Sequence, residues 1–204
     1  MGETLAIDKQ MRQASAQETA EADFQRGLRL YEEGRASEAE HAWRQALESD
    51  PANATSRHAL LGLLVARGDR EQAMRLVQDG LIADPRQHRL RMILARMQLD
   101  NGALNEALRT LEAALSDPTV SADYLATAAA VMARAGRNRD AAQLYQRALK
   151  EGPINPVWYM GLGLALRADG RSAEALAAFE RARAAKSLAP ELQAFVEGQL
   201  KELR

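Results

Sequence analysis

Bulky apolar side chains return along the chain at Trp43, Val77, Leu111, Tyr145 and Phe179, and small ones at Ala46, Gly80, Ala114, Ala148 and Ala182. Both series step by 34 residues, and a third, Ala39, Ala73, Ala107, Ala141 and Ala175, keeps the phase without an insertion or deletion. Glycines stand five residues ahead of those alanines, at Gly34, Gly68, Gly102, Gly136 and Gly170. A strict period of this length marks a stacked-repeat architecture. The segments between are rich in Ala, Leu, Glu, Gln and Arg, strong helix formers, so each unit reads as two antiparallel helices.

Each punctuating residue then has a task. The periodic glycine ends the first helix, because the C-terminal cap needs the left-handed backbone that glycine adopts at little cost. Small residues on the second helix let two backbones approach, and the bulky residue between them fills the groove that remains. Pro51, Pro85 and Pro153 close three units; Pro118 comes one residue early in the third, and Ser187 replaces proline in the fifth. Asp50, Asp84 and Asp117 precede the first three prolines as turn formers. The units are expected at 20–53, 54–87, 88–121, 122–155 and 156–189. Residues 190–204 place Leu192, Phe195, Val196, Leu200 and Leu203 along one face as a capping helix, and the polar residues 1–19 are expected as a frayed or partly helical lead-in. The expected fold class is all-α, an α-solenoid in which each helix pair completes its neighbour's core.

Composition narrows the chemistry. With 47% hydrophobic residues the chain can bury a core, and with no cysteine it carries neither disulfides nor thiolate metal sites. Its 27 basic and 28 acidic side chains leave a net charge of -1, which gives no reason to expect nucleic acid as a partner. The N-terminal segment lacks an apolar run long enough for a signal-peptide core or a span, so no membrane insertion by this segment is expected. His41, His58 and His88 never pair at three- or four-residue spacing, and no phosphate loop, nucleophile elbow or paired-carboxylate motif stands out. Neither a cofactor, a metal nor enzyme activity is expected.

The order of small residue, glycine turn, alanine, aromatic, alanine and proline resembles the tetratricopeptide repeat over about residues 20–189. Its early small position is Gly27 and Gly163 in the outer units but Leu61, Ala95 and Ala129 between them, which implies looser packing there. The segments IDKQMRQASAQETAEADFQRGLRLYEEGR, ADYLATAAAVMARAGR, Trp158 to Gly163 and ELQAFVEGQLKEL are further similar to the periplasmic part of the MshN family, biogenesis proteins of the mannose-sensitive haemagglutinin (MSHA) type IV pilus. That resemblance implies a periplasmic domain tethered to the inner membrane through an upstream segment, with pilus assembly machinery as protein partner; a chain complete as it stands would instead be cytoplasmic.

The resemblance to tetratricopeptide arrays, with helical spacing, puts groove-facing positions at the second, fifth, ninth and twelfth residue of each unit. These are Phe24, Leu28 and Tyr31; His58 and Val65; Arg89, Met92, Arg96 and Leu99; Ala126, Ala130 and Ala133 with Arg134; and Met160, Leu164 and Arg167. An apolar floor with a basic rim would take an amphipathic helix or an extended acidic peptide, methionine adapting to either. The alternative is that the arginines form a solvated face and the apolar residues pack internally. Phe24 and Leu28 stand where chaperone-binding members hold a carboxylate clamp, so that activity is not expected. Trp43, Tyr145 and Phe179 are assigned to the core, while Trp158 is either packed over the preceding proline loop or an exposed anchor. Two further readings remain: a self-assembling spacer forming homo-oligomers, and a pilotin-like secretin assembly factor, which in that class is anchored by a lipidated cysteine absent here.

Overall fold

The computed structural model describes the backbone of residues 2–204 and the side chains of residues 11, 12 and 15–204; Met1 lies outside the described residues. Among the described residues there are eleven α-helices and no strand, so the fold class is all-α, as expected. They run α1 (Gly2–Glu32), α2 (Ala36–Ser49), α3 (Ala54–Arg67), α4 (Arg70–Ala83), α5 (His88–Asp100), α6 (Leu104–Glu112), α7 (Ala122–Arg134), α8 (Asn138–Glu151), α9 (Pro156–Ala168), α10 (Ser172–Ala184) and α11 (Pro190–Glu202). The chain forms two compact units, residues 1–90 and 91–204. The expected lead-in is helical over its described length, continuing α1 upstream without a break.

The periodic glycines are the hinges between paired helices, with φ between 76 and 82° in all five. The residue after each donates its N–H five residues back: Arg35 to Leu30, Asp69 to Leu64, Ala103 to Gln98, Arg137 to Met132 and Arg171 to Leu166, at 2.8 to 2.9 Å. These bonds satisfy carbonyls that a helix end otherwise leaves open. At the other turns Asp50, Asp84 and Asp117 accept from the N–H two residues on, at 3.0, 2.9 and 2.8 Å. Asn53, Ser121 and Asn155 cap α3, α7 and α9 through their side chains. Helix α6 is short, its end tightening into three-residue bonds at Ala114 and Leu115 ahead of the early Pro118.

In the first unit α1 packs on α2, α2 on α3 and α3 on α4. Trp43 is buried against Gly27, where any side chain would overlap the indole, and its Nε1 donates to the Phe24 carbonyl at 3.3 Å. Gly80 on α4 makes a similar space for Arg57, which is only 2% exposed. Arg57 Nε donates to the Leu76 carbonyl (3.2 Å) and Nη2 to that of Pro51 (2.7 Å). Burial holds its guanidinium below the ordinary arginine range, against the opposing pull of Asp79 and Asp50.

In the second unit α6 packs on α7, and successive helices pack from α7 through to α11. Ala107, Ala141 and Ala175 are fully buried, as is Phe179, whose ring leaves no room for a Cβ at Gly163. Tyr124 reaches from α7 to donate to the Leu111 carbonyl at 2.7 Å. Helix α11 covers the end of α10 with Val196 and Leu200, while Phe195, expected on that packed face, is 41% exposed. Five residues on one stripe exceed what a single neighbouring helix can cover, and Phe195 falls at its edge.

Candidate functional site

In the second unit α5, α7 and α9, the first helices of successive pairs, border a hollow of about 330 Å³. Met92, Ala95, Arg96 and Leu99 line it from α5, Asp123, Ala126, Thr127, Ala130 and Val131 from α7, and Val157 and Trp158 from α9, with Tyr145 of α8 behind them. The depth comes from small side chains: Ala126 and Ala130, one turn apart on α7, stand no higher than a methyl group above their helix. Tyr145 is admitted by Gly161, where a Cβ would lie 2.5 Å from the ring's Cζ. Burial pushes the Tyr145 hydroxyl up to about 12, so the ring is neutral at physiological pH. Trp158 is buried, its ring against Gly152 at the end of α8, yet one edge lines the hollow; it serves packing and surface together.

The rim is mixed in charge, which corrects the expectation of a basic one. Arg96 is paired with Asp100 of its own helix at 3.2 Å, and Asp123 adds a carboxylate to the lining. Arg167 is held by Glu202 of α11 at 2.8 Å and by the Gln199 side chain, so it ties down the capping helix instead of facing a ligand. Arg134 is exposed in the last turn of α7, with no carboxylate partner among the described residues. Met92, Arg96 and Leu99 are brought together with Ala126 and Ala130; Met160 is half-buried against the core, and Leu164 is exposed outside the lining.

The first-unit candidates are placed otherwise. Phe24 and Leu28 are half-buried. Tyr31, half-exposed, sits 5.7 Å from the Trp43 ring at a tilt of 44°. His58 is exposed, but its Nδ1 lies 2.6 Å from the Ala54 carbonyl of its own helix. Val65 and Arg89 are exposed. The lining residues outside the expected groove positions are Ala95, Asp123, Thr127, Val131, Tyr145, Val157 and Trp158, of which the sequence allows Trp158 alone as an exposed anchor. Asp123 and Val157 occupy the second position of units four and five, so the same spacing rule contained the signal for both. Tyr145 and Trp158 carried no such signal, since core residues line a surface only where their neighbours are small.

Among the described residues no group of three or more His, Asp or Glu side chains could hold a metal ion, and no helix is long and apolar enough to cross a membrane.

Two family models, each described as tetratricopeptide repeat, match residues 30–97 and 131–190. Comparison with curated protein sequences finds no significant match. Among solved structures, the chain is similar to MamA (22% identity, TM-score 0.65, covering 84% of this chain and 97% of that one). It is also similar to PilF of Pseudomonas aeruginosa (16% identity, TM-score 0.68, 93% and 90%). A third is PilW, described as a widely conserved type IV pilus biogenesis factor (15% identity, TM-score 0.65, 90% and 85%). At these identities the likeness is one of fold.

Proposed function

Because this chain belongs to the tetratricopeptide repeat family, we propose that it is a non-catalytic scaffold whose α5–α7–α9 hollow holds a segment of a partner protein. The observation that carries this reading is the alanine floor between Leu99 and Val157, a depression that a helix or extended strand can enter with one or two apolar side chains. The mixed rim, with Arg96 and Asp123 both in the lining, suits a segment of either sign and sets its register more than its affinity. The finer reading is an adaptor in type IV pilus assembly of the MSHA kind, acting at the periplasmic side of the inner membrane. The fold neighbour PilW and the MshN-like segments support it. The fold is also shared with MamA, so the choice of pathway rests on the segments.

The test uses the chain as immobilised bait in an envelope extract, beside a variant carrying Ala130→Trp and Arg96→Glu, which fills the hollow and reverses its rim. The expected result is that pilus-assembly proteins enrich on the first bait and are lost from the second. Equal recovery on both would remove the hollow from the account; recovery of partners unrelated to the pilus would leave the scaffold and overturn the pathway.

A further inference from the structure

A second hollow, of about 380 Å³, lies in the same unit between α8 and α10 over α9, and shares no lining residue with the first. Its floor is apolar, made by Leu149, Leu162, Leu166, Ala177 and Ala178. Leu162, Leu166 and Ala178 are buried, so the floor is the edge of the core where α8 and α10 each pack on α9. Its rim carries two cations, Lys150 and Arg181, and one acid, Glu174. Glu174 is already engaged, accepting from both Arg171 Nε and Nη2 at 2.8 and 2.7 Å. Lys150 and Arg181 have no carboxylate partner among the described residues.

Arg181 is also held in place. Its guanidinium carbon stands 5.8 Å from the centre of the Tyr159 ring, and Nη1 is 3.4 Å from the Tyr159 hydroxyl oxygen. A stacked guanidinium gives up less side-chain freedom when it meets an anion than a free one does. We propose that this hollow is a second docking site, for an acidic partner segment that inserts one bulky apolar side chain between α8 and α10. Charge complementarity commits it to that chemistry: an apolar residue fills the hollow while carboxylates a turn away meet Lys150 and Arg181, the rim's only unneutralised charges. The site is independent of the α5–α7–α9 hollow, so the chain can hold two protein segments at once.

Three synthetic peptides test this, EELFEE, EELAEE and KKLFKK, titrated into the full chain labelled for amide NMR. EELFEE should bind and move the amides of Tyr159, Leu162 and Ala177; the other two should bind at least about 10-fold more weakly. Raising salt from 50 to 500 mM should weaken EELFEE, an effect read on the unaltered protein. Lys150→Glu with Arg181→Glu, both at exposed positions, should reverse the order of EELFEE and KKLFKK with the far-UV spectrum unchanged, while Arg181→Lys retains binding. Equal binding of acidic and basic peptides, or shifts confined to α5 and α7, would overturn the proposal. Light scattering that shows self-association abolished by the double variant would also overturn it, assigning the surface to a second copy of the chain.

Discussion

Two glycines inside helices of the first unit should respond to the same substitution with opposite sign. Gly62 lies in the interior of α3 with open space where a Cβ would stand, so Gly62→Ala should stabilise by about 0.5 to 1 kcal/mol through reduced backbone entropy alone. Gly27 lies inside α1, and an added Cβ would run into Nε1 and Cδ1 of Trp43. Trp43 is 2% exposed and cannot swing outward without opening the α1–α2 contact. Overpacking of this kind costs about 1 to 3 kcal/mol, and moving the indole loses its bond to the Phe24 carbonyl, about 1 kcal/mol more. Against that stands the same gain of up to about 1 kcal/mol from alanine, leaving Gly27→Ala destabilised by about 1 to 3 kcal/mol. Urea unfolding followed by far-UV circular dichroism reads both, with the fluorescence of Trp43 in a Trp158→Phe background reporting any displacement of the indole. If Gly27→Ala raised the midpoint as Gly62→Ala should, the close approach of α1 to the indole would be refuted, and with it the size complementarity inferred from the repeat.

Tyr145, whose hydroxyl burial raises from 10.0 to about 12, contributes stability that is complete below the ordinary tyrosine value and lost as pH rises through about 12. Wild type should therefore lose on the order of 2 kcal/mol more than Tyr145→Phe between pH 9 and pH 12, read by urea midpoints across that range; parallel profiles would place the hydroxyl in water. Arg57→Ala should cost about 2 to 4 kcal/mol, since it empties a buried space over Gly80 and strips the Leu76 and Pro51 carbonyls of their donor, whereas Arg57→Met should cost less by refilling the volume. Thermal unfolding ranks the two, and an Arg57→Ala as stable as wild type would contradict the burial. Gly102→Ala, at φ 76° with open space around it, should cost about 1 kcal/mol from backbone conformation alone, and Gly102→Asn less, as urea titration would show.

How much was legible beforehand depends on what each feature answers to. The glycines at helix ends, the aspartates at turns and the buried Ala39 to Ala175 series follow from requirements local to one or two helices: a positive φ, an Asx turn, a backbone too close for a side chain larger than methyl. Such requirements act on one position at a time and recur every 34 residues, so the amino-acid order alone determined the fold class and the core assignment of Trp43, Tyr145 and Phe179. It also singled out the part of the candidate site that has helical spacing, Met92, Arg96 and Leu99 with Ala126 and Ala130.

The remainder depends on which side chains from different helices meet. Helical spacing put Arg96 and Arg167 on the same face, but their partners, Asp100 for one and Glu202 with Gln199 for the other, decide that neither is a free cation. Tyr145 becomes part of a surface because Gly161, 16 residues away on the next helix, leaves room for it, and Arg57 goes under cover because Gly80 does the same. The cations Lys150 and Arg181 flank one apolar floor only because α8 and α10 both pack on α9. Backbone conformation and residue size are properties of a position, whereas burial, pairing and cavity shape are properties of a neighbourhood that exists only once the helices have packed.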